Sequence, residues 1–417
     1  PSQPGIRLNL GKKDVRTFWS DQFVPYEIEG CNLSQQNFEG TLIRAPLRKA
    51  SSDSEIKKEG VDDEEIEKIM DLIRSDGHLW LLFLKNVTKL EVIDLQSGQT
   101  FSLHERRMQL PHVSINSTIG PEASMEKCKT YLLCNDSEVS VALPLSPDAT
   151  CEPGRVFSRL PMDMKSGFAA HVSALFWTSA DRRSIVLDLQ KDLEGWAQQN
   201  HEHLKKIAKC LVVSIAKQGA ENEQKQTLLE FFPHSERPSP VAEVLHGLFY
   251  IEVVRQLSSP HNILFTVSGE AAATQGSILL ARDDTWPQAL RALRAPLVRV
   301  TEDVFQGLTC HGNIFEELSA ASVRQWLRKS STCLDHLCDE QLLQFCLQDK
   351  PASADLTGCP LILRRDGKVN RFLANIDEQS QLFLYCANRE EWQLAQHFDA
   401  SRVLKFVPNE ILQQHPQ

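Results

Sequence analysis

Apolar positions recur along this chain in two rhythms, and the switches between them predict its elements. Ile66, Ile69, Met70 and Ile73 repeat at helical spacing, which predicts a helix with one buried face. Asp62 is placed to cap it, and Asp63, Glu64 and Glu65 suit the positive end of its dipole. The run from His78 to Leu84 is apolar throughout and short, predicting a buried strand. Leu90, Val92 and the stretch Thr100–Leu103 predict a meander behind it. Upstream, Gly40-Thr41 opens a short strand over Leu42–Leu47, and the polar run Ala50–Gly60 predicts a solvent-exposed loop.

Further on, Tyr131–Cys134, Val139–Leu145, Arg155–Leu160 and His171–Trp177 each predict a strand, separated by turn-rich links. Leu189, Leu193, Trp196, Leu204, Ile207, Ala208, Leu211 and Ile215 then fall on one face of a long helix. Strands followed by a long amphipathic helix are an α+β arrangement. Gln218–Gln226 and Pro233–Pro240 predict a hinge or linker. Beyond Val241, a helix through Leu245, Leu248, Ile251, Val254 and Arg255 precedes strands at Ile263–Val267 and Ser277–Leu280. Helices follow at Trp286–Leu293, Ala320–Leu327 and Asp339–Leu347, then short strands at Leu361–Leu363 and Leu382–Tyr385. Arg365-Asp366-Gly367-Lys368 is a hairpin turn.

Composition narrows the function. At 417 residues, two or three domains are expected, and 41% hydrophobic with 24% charged residues is ordinary for a soluble protein. A net charge of −10 gives no overall attraction to nucleic acid or to an anionic membrane, so neither is expected as a partner. The 11 cysteines are scattered, and neither Cys128/Cys134 nor Cys333/Cys338 forms half of a zinc site, so no metal is expected. Free thiols in a reducing compartment, the cytosol, are the expectation. No stretch reaches the roughly 18 apolar residues of a membrane span, and the start at Pro1 lacks a signal peptide and an initiator Met, predicting a piece of a longer chain.

Ser20-Asp21-Gln22-Phe23-Val24-Pro25 and Phe38-Glu39-Gly40-Thr41-Leu42-Ile43-Arg44-Ala45-Pro46-Leu47-Arg48 resemble sacsin and its relatives, including the plant Nov-type proteins. The likeness continues through Leu82–Val87, Ala142–Ser146 and Arg155–Pro161. It is clearest at His171-Val172-Ser173-Ala174-Leu175-Phe176-Trp177 leading into Asp181-Arg182-Arg183-Ser184-Ile185, and it extends to Ser322–Lys329 and Leu361–Gly367. The ordered set covers nearly the whole chain. The resemblance implies the back end of a GHKL ATPase, the class of gyrase, heat-shock protein 90, histidine kinases and MutL, over residues 1–120. A middle α+β domain, ribosomal-S5-domain-2-like, would follow over 121–235, and a mixed helical and short-strand region over 236–417. It implies ATP with Mg2+ as cofactor and a chaperone or co-chaperone role, with client proteins and heat-shock protein 70 as partners. A non-catalytic protein-binding scaffold is the alternative.

In that class Gly40-Thr41 would meet the adenine. Glycine admits close backbone approach, and the threonine hydroxyl can donate and accept; a strand start with no ligand is the other reading. The class's Asp-x-Gly-x-Gly and its water-activating acid are absent from this sequence, so the chain by itself is not expected to hydrolyse ATP. The resemblance also implies a basic residue reaching the γ-phosphate from the loop before the long helix: Arg183, or alternatively Arg182. The planar arginine fork suits phosphate oxygens, while Asp181 next door offers a plain ion pair. His201 and His203 lie two apart on a helix and do not converge on a metal, so a solvated face is expected. Cys210 falls in an apolar stripe and is expected to pack in the core. Phe231, Phe232, Phe249 and Tyr250 are expected to fill a core between domains rather than to face a client.

Overall fold

Helix α1 (Asp63–Trp80) begins where the acidic residues place it. The Asp62 carboxylate accepts from the Glu65 amide at 2.9 Å, satisfying a donor that the first turn leaves open. Ile66, Met70 and Ile73 are half-buried, but Ile69 is 53% exposed. With about 3.6 residues per turn, Ile69 sits on the flank of the stripe defined by the other three. The helix also takes in His78, Leu79 and Trp80, which were expected in a strand. A short apolar run carries no period that separates a strand from a buried helix end. Here the chain turns after Trp80, and Leu81 and Leu82 pack against Val113, Ile115, Tyr131 and Ala142.

The computed structural model describes residues 61–349 except 95–98, 120–125, 146–152, 189–193, 222–224, 234–238, 273–275, 283–284 and 331–339, with a few positions between 355 and 406. The chain divides into two compact units, residues 1–73 and 74–417. Of the first only 61–73 are described, so the strand expected at Gly40-Thr41 lies outside the described residues.

The second unit is built on an eight-stranded sheet ordered β1-β2-β3-β4-β5-β8-β6-β7. Its strands are β1 (Lys89–Asp94), β2 (Gln99–Gln109), β3 (His112–Ile119), β4 (Glu126–Asn135), β5 (Val139–Pro144), β6 (Arg155–Ser158), β7 (Leu160–Lys165) and β8 (His171–Ala174). All neighbours are antiparallel except β6 and β8, where Val156 lies beside Val172. The expected meander is β1 and β2, and the four expected strands are β4, β5, β6 and β8; β3 and β7 were not foreseen. β3 and β4 pair across position 120, with Thr118 opposite Glu126, so the strands on both sides of it belong to one sheet.

Helix α2 (Glu194–Glu221) packs on β4, β5 and β8. Its buried face carries Leu204, Ile207, Ala208, Leu211 and Ile215, as the stripe predicts, and Ala197 besides; Trp196 is 43% exposed, and Leu189 and Leu193 lie outside the described residues. Of the two stretches expected as a hinge, Gln218–Glu221 instead end α2, Pro233 is buried, and 222–224 and 234–238 lie outside the described residues; the segment between the two stretches is packed. A 3₁₀ segment, Lys225–Phe231, follows α2, and Leu228, Phe231 and Phe232 are buried in the same core as the sheet. Phe249 and Tyr250 join them from α3 (Pro240–Gln256), so the four aromatics are buried in one core with the sheet. Ser239 caps α3 by accepting from the Ala242 amide, and Pro240 takes the first turn, where its missing N–H costs nothing.

A second, parallel sheet follows: β9 (Ile278–Ala281), β10 (Leu297–Arg299) and β11 (Phe315–Glu317), with β9 central. Two helices, α4 (Ala289–Ala292) and α5 (Glu302–His311), make the crossovers that parallel pairing needs. Ile278 and Leu280 of β9 enter the main core; Leu279 and Ala281 enter a smaller one with Leu290, Leu297 and Val323. The smaller core is closed by α6 (Ala320–Lys329) and α7 (Glu340–Leu347). The strand expected over Ile263–Val267 is reduced to one bridge, Phe265 to Ala271. β12 (Ile362–Leu363) and β13 (Val369–Asn370) pair antiparallel on either side of the expected turn, and β14 (Phe383–Leu384) falls where the last strand was expected. The described fold is α+β.

Candidate functional site

The residues singled out for phosphate, Arg182 and Arg183, sit on a loop between the end of β8 and the start of α2, as their sequence positions require. The loop closes as a small hairpin. Thr178 bridges Ile185, the Ser179 amide donates to the Ser184 carbonyl at 2.9 Å, and the Val186 amide donates to the Trp177 carbonyl at 3.0 Å. Asp181 organises the tip: its Oδ1 accepts from the Ser179 hydroxyl at 2.6 Å and from the Arg183 amide at 3.1 Å. These bonds, the Ser179 one foremost, hold the Asp181 carboxyl below the usual carboxylate range.

The two arginines then diverge. Arg182 adopts a left-handed backbone conformation, φ 57°, and its Nη2 donates to the Ser158 carbonyl at 3.0 Å. Its fork is tied back onto β6. Arg183 projects outward: its side chain is 85% exposed, and its Nε stands 3.9 Å from Asp181 Oδ2. An ion pair that long and that solvated holds a side chain weakly. Arg183 is therefore the arginine free to meet an anionic group. Gly40 and Thr41, the other expected ligand contacts, lie outside the described residues.

What fixes this loop is a residue the sequence reading passed over. Asn200 lies in the buried face of α2, fully enclosed. Its Oδ1 accepts from the Trp177 amide at 2.9 Å, and its Nδ2 donates to the carbonyls of Trp177 and Val186, each at 2.8 Å. One amide side chain thus staples both strands of the hairpin to the helix. The available signal was an amide standing at 200 between Ala197 and Leu204, in line with the apolar stripe; a buried polar side chain needs such partners. Beside it, Trp177 and Trp196 stack with ring centroids 4.9 Å apart and planes 4° from parallel, and Trp177 Nε1 donates to Gln199 at 2.8 Å. Leu175, Trp177 and Trp196 are 54%, 42% and 43% exposed, an apolar platform next to the arginine loop.

Elsewhere the sheet buries polar groups. His171 on β8 lies between Tyr131 and Phe157, and its Nδ1 accepts from the Arg155 amide at 3.1 Å. Burial above all, then the positive neighbours His78, Arg155 and Lys129, push its pKa down to about 3. His203 corrects the expected solvated face. It is buried, edge-on to Phe176, with its Nδ1 3.8 Å from Glu138, and burial lowers its pKa. Four-residue spacing explains it: His203 continues the buried ridge through Ile207 and Leu211, while His201, two positions away, is half-buried on the other flank. Among the described residues no group of three His, Cys, Asp or Glu side chains could hold a metal. Cys210 is buried in the main core. No helix among the described residues is long and apolar enough to cross a membrane.

The Sacsin domain family matches residues 1–106 of this chain. Sacsin of Homo sapiens is 26% identical over 241 residues, a match covering 44% of this chain and 5% of the human protein. The chain therefore corresponds to a small part of that relative's length. No solved structure matches it.

Proposed function

We propose, from the premise that this chain is sacsin-like, that it is a chaperone or co-chaperone module: part of an ATP-driven clamp that assists folding clients or heat-shock protein 70. The observation that carries this reading is the Sacsin-domain match over residues 1–106, which includes Gly40 and Thr41. In this reading residues 1–120 end a GHKL-type ATPase fold, and β4–β8 backed by α2 act as the ribosomal-S5-domain-2-like domain that follows it. ATP with Mg2+ is the ligand, Gly40 and Thr41 meet the adenine edge, and Arg183 reaches the γ-phosphate oxygens.

The arginine loop supports that assignment in one respect. Asn200 and Asp181 hold its backbone, while the Arg183 guanidinium stays solvated, so docking onto a phosphate displaces only one long ion pair. A permanently charged fork held at a fixed point can stabilise charge that develops on a transferring phosphate. Lacking the water-activating acid, the chain contributes binding and sensing, not hydrolysis by itself. The free thiols Cys128, Cys134 and Cys210 suit a cytosolic address.

Titration calorimetry with ATP and ADP in Mg2+, on the chain extended upstream of Pro1, tests the reading. Binding is expected, and in the same protein Arg183→Ala should retain it while slowing turnover about 10-fold or more. Absence of nucleotide binding by the extended chain would leave the second reading, a non-catalytic scaffold. The exposed Leu175–Trp177–Trp196 platform favours that alternative, because exposed aromatic surface is what protein contacts use.

A further inference from the structure

Two turns at the rim of the large sheet meet beside an exposed tryptophan stack. The first joins β6 to β7 through Arg159 alone, with Ser158 paired to Leu160 across it. The second is the 178–185 hairpin that carries Arg182 and Arg183. Ser158 ties them together: its carbonyl accepts from Arg182 Nη2 at 3.0 Å, and its hydroxyl donates to the Phe176 carbonyl at 3.5 Å. Trp177 comes next in the chain and stacks on Trp196 of α2. Arg159, Arg182 and Arg183 are all exposed, and so are the apolar side chains of Leu160, Trp177 and Trp196.

We infer that this surface docks an acidic segment of a partner protein, one whose aspartates or glutamates flank an aromatic residue. Charge selects that partner. The chain as a whole carries −10 and repels acidic proteins, yet these two turns hold three arginines against one acid, Asp181. Asp181 is already engaged by the Ser179 hydroxyl and the Arg183 amide. Arg159 makes no ion pair among the described residues, and Arg182 keeps further N–H donors for a carboxylate beyond the one given to Ser158. The turns do not need these arginines for their shape. Arg159 and Arg182 hold left-handed backbone, φ 66° and 57°, where glycine would sit without strain. Arginine and tryptophan are also the side chains in which protein contacts concentrate their energy. Because Asn200 and the hairpin bonds fix the frame beforehand, little order is lost on docking. The contact needs no nucleotide, so it goes beyond both the clamp and the scaffold.

The test is fluorescence anisotropy of short rhodamine-labelled peptides mixed with the full chain. A peptide of aspartate, glutamate and phenylalanine is expected to bind at least about 5-fold tighter than copies with lysine for the acids or alanine for phenylalanine. Added salt should weaken it. Trp196→Ala should weaken binding about 10-fold, and Arg183→Ala about 3-fold or more. Arg159→Gly should also weaken it about 3-fold while leaving the thermal midpoint unchanged, because glycine holds a left-handed turn without strain. That variant separates a lost contact from a lost fold. No binding of the acidic peptide, equal binding of the basic one, or native affinity in all three variants would overturn the docking site. So would an oligothymidine that binds more tightly than the acidic peptide, which would assign the surface to single-stranded nucleic acid. ATP calorimetry on the extended chain is independent of these results: failure of either experiment leaves the other conclusion standing.

Discussion

The main core and the smaller core share strand β9, whose alternate residues feed both. Ile278 and Leu280 face the main core, under α3 and α5; Leu279 and Ala281 face the smaller one, under α6 and α7. Along β2 the alternation has a different outcome. Ser102, His104 and Arg106 on one face are buried, while Phe101, Leu103 and Glu105 on the other are only half-buried. An antiparallel edge region can leave one face to water, whereas a parallel strand covered by crossover helices is apolar on both sides. The difference sets where chemistry can sit. The large sheet carries the arginine loop and the aromatic platform at its rim, while β9 is wholly committed to holding two cores together.

The largest effects should come from breaking either core. Leu211→Ala in the main core and Leu279→Ala in the smaller one should each cost about 2–5 kcal/mol in denaturant unfolding. Because β9 links the cores, both variants should still unfold in one transition. Two separate transitions would show the smaller core to be an independent block.

The next effect depends on pH. His171 is depressed to about 3 in the fold, against about 6.5 in an unfolded chain. Its depressed pKa means that the folded state refuses a proton the unfolded state takes up. Stability is therefore full above about pH 6.5 and declines as pH falls towards 3, by at most about 1.4 kcal/mol per pH unit from this group. Lowered by the same cause, His203 acts with the same sign. His171→Gln, which keeps an acceptor for the Arg155 amide, should flatten the acid slope of the unfolding free energy.

Smaller again is the staple on the arginine loop. Asn200→Ala removes three hydrogen bonds to Trp177 and Val186 and should cost about 1–3 kcal/mol. Freed indoles should also shift the tryptophan fluorescence as the Trp177–Trp196 stack loosens. Arg183→Ala should change stability by less than about 0.5 kcal/mol, since its side chain is exposed. A larger loss by thermal unfolding would mean that Arg183 holds the loop in place and is not held ready by it.

Much of this was legible in local pattern. The Asp62 cap of α1, the buried stripe of α2, strands β4, β5, β6 and β8, helix α3 and the β12–β13 pairing follow from spacing and turn chemistry that act within a few residues. The run His78–Leu84 was misread because it is apolar on every side, so only the turn after Trp80 and the neighbours of Leu81 and Leu82 decide its form. β10 is three residues held by pairing on β9 and is too short to carry a period. α5 does carry one, in Val304, Phe305 and Leu308 behind Thr301 and two acids, so it was legible in the sequence.

The amino-acid order by itself determined the α+β class, the main amphipathic helix, and the place of the two arginines between a strand and that helix, because each depends on periodicity or adjacency along the chain. Only the tertiary structure decided which arginine is free, that Asn200 staples the loop, and that His203 is buried. Those facts depend on which strand lies beneath which turn of α2. That is set by the register of the whole sheet and by the packing of one layer on another, and no local stretch of sequence contains it.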